Sequence, residues 1–79
     1  MIAKGTLRDE VRMSRRMPAP ALARAIRQAA GVSQARLAEE LRVHRVTVAR
    51  WEAGRRRPRG ELALRYAALL DELREEVGL

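Results

Sequence analysis

The chain has no cysteine, no phenylalanine and only one histidine, one tryptophan and one tyrosine in 79 residues. Without cysteine it can form neither a disulfide nor a thiolate metal site, and packing alone must hold it together. A lone histidine cannot build a metal cluster, and no serine is set beside a base and an orienting carboxylate. The expectation is a protein that is not an enzyme and uses no cofactor or metal. Two aromatic side chains offer little surface for stacking unpaired bases, which disfavours RNA. No apolar run approaches the ~20 residues of a membrane span, and the first residues lack a secretory apolar stretch. The expected setting is soluble and cytoplasmic.

What is abundant is alanine (14), leucine (10) and arginine (16). Alanine and leucine without β-branched runs favour helices over strands, and the length allows one domain. A chain this short buries only about 60% of its unfolded surface, so a second subunit would add stability. The net charge of +7 is unevenly spread. Residues 1–60 hold 15 Lys or Arg against 5 Asp or Glu, a balance of +10; residues 61–79 hold 2 against 5, a balance of −3. A basic body suits a polyanion, and an acidic end suits some other contact. A GC-rich genome would also enrich arginine, so placement has to carry the argument.

Residues 1–17 read as a basic arm with Lys4, Arg8, Arg12, Arg15 and Arg16; the alternation around 6–13 is too imperfect to support a strand. The domain proper is 18–79. Pro18 and Pro20 open a first helix over about 18–30, with Leu22, Ala25, Ile26 and Ala29 on one face, Arg24, Arg27 and Gln28 opposite, and Gly31 as its stop. Ser33 caps a second helix whose inward face is Leu37, Ala38 and Leu41. Three residues, Arg42 to His44, lead to a third helix over Arg45–Glu52, with Val48 and Trp51 inward and Arg45, Val46, Ala49 and Arg50 outward; Gly54 closes it. After the loop Arg55-Arg56-Arg57-Pro58-Arg59-Gly60, a last helix runs from about Glu61 to Glu76. The predicted class is all-α, a compact bundle of four to five helices containing a helix-turn-helix.

Two short helices joined by a three-residue turn, the second basic outside and apolar inside, match what reading a DNA major groove requires. Arginine pairs bidentately with guanine O6 and N7, which singles out Arg45 and Arg50; a merely solvated face is the alternative. Val46 fits either a thymine methyl or the core. Arg55, Arg56, Arg57 and Arg59 fit phosphate clamping, and Arg59 also suits a narrow minor groove.

Ser33-Gln34, Leu37-Ala38, Leu41, Val43, Val46 to Val48, Arg50-Trp51-Glu52 and Gly54 together resemble the lambda-repressor/Cro-like (XRE) helix-turn-helix family, over roughly residues 20–70. The resemblance implies that Gln34 holds a DNA phosphate and braces the recognition helix. It implies that Arg45, Val46 and Arg50 read bases with Ala49 close by, and that Thr47 meets a phosphate or base. It implies a salt bridge between Arg27 and Glu52. The family commonly has Gly where this chain has Arg42, and Ser where it has His44. Arg42 therefore either carries about 1 kcal/mol of left-handed strain or marks a different turn. His44 is expected to cap less well than Ser, its ring turning to a phosphate instead.

On the last helix, Leu62, Tyr66, Leu69, Leu73 and Val77 make a stripe, with Ala63, Ala67 and Leu70 beside it. That breadth exceeds one contact, so Leu69, Leu73 and Val77 are expected at a homodimer interface, the alternative being that they pack back on the chain. The function expected is a sequence-specific transcriptional regulator, a nucleoid-associated repressor of the phage, prophage or mobile-element kind on a palindromic operator. The alternative is an antitoxin or accessory protein with autoregulatory DNA binding, its main partner being another protein such as a toxin or anti-repressor.

Overall fold

The computed structural model describes Leu7, Arg8 and residues 17–79. Most of the basic arm, with the imperfect alternation at 6–13, lies outside the described residues; Leu7 and Arg8 are helical and exposed. Four helices follow: α1 Pro20–Ala29, α2 Gln34–Leu41, α3 Arg45–Glu52 and α4 Gly60–Val77. There is no strand among the described residues.

The short helices are bounded by local chemistry. Pro20 opens α1 where its missing N–H has no partner to lose. The helix ends at Gly31, in the left-handed region at φ +72°, and the Val32 N–H donates back to the Arg27 carbonyl at 3.1 Å. Ser33 Oγ accepts the Arg36 N–H at 3.0 Å and starts α2. His44, a position where Ser would be the stronger cap, opens α3 with its ring: Nδ1 accepts the Val46 N–H at 3.1 Å. Gly54 at φ +73° closes α3, with the Arg55 N–H on the Arg50 carbonyl at 2.9 Å.

The turn between α2 and α3 closes in the same way without a glycine. Arg42 sits at φ 60°, ψ 44°, the one non-glycine at positive φ among the described residues. The Val43 N–H reaches the Ala38 carbonyl at 3.0 Å across it. A Cβ in this region costs about 1–2 kcal/mol, part of which glycine would give back as lost chain entropy. Arg42→Gly is therefore expected to stabilise the fold by about 0.5–1 kcal/mol, raising the thermal midpoint by about 4–8 °C per kcal/mol. Thermal unfolding followed by circular dichroism checks this; an unchanged or lower midpoint contradicts it.

The core gathers Ala23 and Ile26 of α1, Leu37, Ala38 and Leu41 of α2, Val48 and Trp51 of α3, and Tyr66 and Leu70 of α4. Trp51 and Tyr66 meet at a ring-centroid distance of 4.6 Å, tilted by 37°. On α1 the buried face is Ala23, Ile26 and Arg27, while Ala25 and Ala29 are exposed and Leu22 is 37% exposed. This corrects the inward face of Leu22, Ala25, Ile26 and Ala29. The pattern sets Leu22, Ala25, Ile26 and Ala29 opposite Arg24 and Arg27, and the observed buried face is rotated from it because Glu52 draws Arg27 inward.

The last helix, α4, packs through its small residues. Its deepest residues are Ala63, Tyr66, Ala67 and Leu70. Leu69 and Leu73, expected at a subunit contact, are half-buried against the chain's own core, and Val77 is half-buried as well. Small alanines let α4 approach closely, so the flanking leucines fold down onto the bundle.

Candidate nucleic-acid interface

The site is built on α2, the Arg42–His44 turn and α3. Val48 and Trp51 anchor α3 from beneath. At 3.6 residues per turn this places Arg45, Val46, Ala49 and Arg50 together on the opposite side. Arg45 and Arg50 are exposed; Val46, Thr47 and Ala49 are half-buried. Val46 is half-buried and is not part of the core cluster.

Beneath this face lies a buried ion pair. Arg27 donates through Nε to Glu52 Oε2 at 2.6 Å and through Nη2 to Oε1 at 2.9 Å, and its Nη1 donates to the Val32 carbonyl at 2.8 Å. One guanidinium thereby ties α1 to α3 and to the turn before α2. Gln34 Nε2 donates to Glu52 Oε1 at 3.0 Å, and Gln34 Oε1 accepts from Arg45 Nη1 at 3.1 Å. A continuous chain of hydrogen bonds runs from the buried pair to the first residue of α3.

Burial pushes the Glu52 carboxyl up, but the hydrogen bonds from Arg27 and Gln34, with the charges of Arg27 and Arg24, outweigh it and hold the group below its ordinary value. The hydrogen bond to Glu52 raises Arg27 despite its burial. Nearby, burial and the Glu52 charge, opposed by Arg27, push the Tyr66 hydroxyl up to about 12. That hydroxyl has no hydrogen-bond partner among the described residues.

Past α3, Arg55, Arg56, Arg57 and Arg59 are all exposed. Their side chains, like that of Arg50, carry no hydrogen bond or ion pair among the described residues. Unpaired guanidinium groups beside a projecting helix form a surface suited to a polyanion.

A helix-turn-helix family model matches residues 24–77. The chain belongs to the XRE, lambda-repressor-like, helix-turn-helix family. Comparison with curated proteins and with solved structures finds no significant match. As an XRE-type protein the chain is a DNA-binding transcriptional regulator, and its family is not one of enzymes. No helix among the described residues is long and apolar enough to cross a membrane.

Within the XRE domain, α3 carries four of the candidate residues on one face, with Gln34 joined to Arg45 and His44 seated at the helix start. The loop arginines follow directly after α3. The bracing implied for Gln34 takes the form of hydrogen bonds to Glu52 and Arg45 at once, a pairing the sequence does not specify. It depends on how α2 packs on α3, which residue spacing does not encode.

Proposed function

We propose that this XRE-family chain is a sequence-specific repressor of the phage, prophage or mobile-element kind, acting in the cytoplasm as a homodimer on a palindromic operator. Arg45 and Arg50 read bases, helped by Val46 and Ala49. Gln34, His44, Thr47 and the loop residues Arg55, Arg56, Arg57 and Arg59 hold the backbone. The observation that carries this reading is the pair of outward arginines on α3, one held by Gln34 and the other unpaired. In-vitro site selection tests it. Arg45→Ala and Arg50→Ala should each cost about 1–3 kcal/mol on the selected site and relax preference at one position. Equal losses on selected and random duplexes would sink the base-reading role.

A dimer would set two recognition helices about 34 Å apart, matching half-sites one turn apart. Support comes from Leu69, Leu73 and Val77, which stay only half-buried within one chain. Leu73 packs on the core cluster, so Val77, nearer the end of α4, is the cleaner probe. Val77→Arg is expected to sediment as a helical monomer with weakened operator binding. A wild type that is monomeric while saturating its operator would contradict the dimer.

A further inference from the structure

The outer face of α4 stands open to solvent among the described residues. Leu64, Ala68, Glu72 and Glu75 recur at spacings of four, four and three, so they line one side of the helix, and all four are exposed. Leu64 is 51% exposed, whereas every other leucine of α4 is buried or half-buried. At the other end of the chain Leu7 is helical and 77% exposed, with Arg8 exposed beside it. Each end thus presents a large apolar group that its own chain leaves uncovered. The two ends also match in charge. Residues 1–16 hold five Lys or Arg against two Asp or Glu, a balance of +3, and residues 61–79 carry −3. Leu7 and Val11 stand four apart, followed by Arg8, Arg12 and Arg15 at four and three. A helix continued from Leu7 sets an apolar pair beside a row of arginines, as α4 sets Leu64 and Ala68 beside Glu72 and Glu75. At 1.5 Å per residue, Leu7 to Arg16 is about 14 Å and Leu64 to Glu75 about 16 Å.

We propose that in the homodimer residues 1–16 of each copy dock on the outer face of the other copy's α4. Leu7 and Val11 meet Leu64 and Ala68, while Arg8, Arg12 and Arg15 meet Glu72 and Glu75. The proposal rests on the homodimer argued above. Packed helices lie about 8–10 Å apart, so a contact through α4 sets the neighbour's α4 close to this one. The arm leaves the bundle at Met17, which packs on the core. From there to Leu7 the chain covers about 15 Å as a helix and about 33 Å extended, enough to reach the neighbouring helix. A second copy is the occupant because Leu7 stays exposed on its own chain. Exposed ion pairs contribute little by themselves, so the leucines supply most of the affinity and the charges set the register.

The chain has no cysteine, so introduced thiols report on this contact without background. A full-length copy with Leu7→Cys is mixed with a mass-tagged full-length copy bearing Ala68→Cys and oxidised. A disulfide joining the two masses is expected, and none when the tagged copy carries Gln28→Cys, at an exposed position of α1. Reversing the acceptor's charges with Glu72→Arg and Glu75→Arg should suppress the disulfide, and Arg8→Glu with Arg12→Glu in the arm should restore it. Leu7→Asp should raise the dimer dissociation constant by at least about tenfold, the equivalent of one leucine left unburied, with helicity retained. The proposal is overturned by equal disulfide yields at Ala68→Cys and Gln28→Cys, or by yields indifferent to charge reversal. It is also overturned when a chain bearing both Leu7→Cys and Ala68→Cys closes on itself while mixed copies stay unlinked, since the arm then lies on its own α4. Sedimentation of the wild type separates the two levels: a monomer at these concentrations removes the homodimer itself, whereas a dimer without the mixed disulfide removes only the arm contact.

Discussion

Glu52→Leu is expected to destabilise the domain by about 3–5 kcal/mol, because it leaves the Arg27 guanidinium buried without its counter-charge. The Arg27 and Glu52 side chains are only 8% and 2% exposed, so water cannot replace the lost partner. Gln34 also loses the acceptor for one of its amide hydrogens. A 79-residue fold holds on the order of 4–12 kcal/mol in total, so the variant should lose at least about a quarter of it. The double variant Arg27→Met with Glu52→Leu should recover most of the loss, since two apolar side chains can fill the space without a stranded charge. Urea titrations of the wild type, the single and the double variant decide the matter. A single variant within 1 kcal/mol of wild type would show that the pair is not buried as described.

The same pair makes stability sensitive to acid. Folded Glu52 is held below its ordinary value of 4.5. As pH falls beneath about 4.5, the unfolded chain therefore takes up the proton first, and the unfolded state gains. Stability from this group is complete above that point and is lost as pH descends through the folded value. The wild type should lose stability on acidification more steeply than the double variant, which has no carboxylate there.

Trp51→Ala is the second large effect expected, about 3–5 kcal/mol from the removed side chain and its cavity. The indole is 5% exposed, and the tilted contact with Tyr66 adds about 0.5–1.5 kcal/mol beyond area. Trp51 is the main apolar anchor beneath the outward arginines, so its loss should weaken binding to selected and random DNA together, unlike loss of a base-reading side chain. Far-UV circular dichroism and duplex titration of the same preparation separate the two. Retained helicity with an unchanged melting midpoint would refute the anchoring role. Trp51→Phe should restore part of both.

The middle of the chain is the part most legible in its residues. Ser33 and Gly54 mark ends by the hydrogen bonds they accept or the backbone angles they permit, and these are local properties. The observed bounds of α2 and α3 accordingly coincide with the spacing. Arg42 illustrates the limit: its left-handed conformation is one of two readings open in the sequence, and only the packing of α2 on α3 selects it. On α1, the amphipathic pattern sets both arginines on the wet side, and only the family resemblance points to Glu52, 25 positions later, which draws Arg27 inward. On α4, the leucine stripe is real, but how much of it the chain covers by itself depends on how closely the alanine face approaches the bundle.

The hydrogen-bond chain through Gln34 bears on how this protein can diverge. Arg45 is coupled through Gln34 to the buried pair, so exchanging it hands the Gln34 carbonyl oxygen to solvent and loosens an amide that the fold uses. Arg50 touches no other side chain by hydrogen bond or charge among the described residues. A substitution at Arg50 alters the outer face and nothing beneath it. New binding preferences can therefore arise at Arg50 by single replacements that leave the fold intact, whereas change at Arg45 also frees the amide that Gln34 shares with the buried pair.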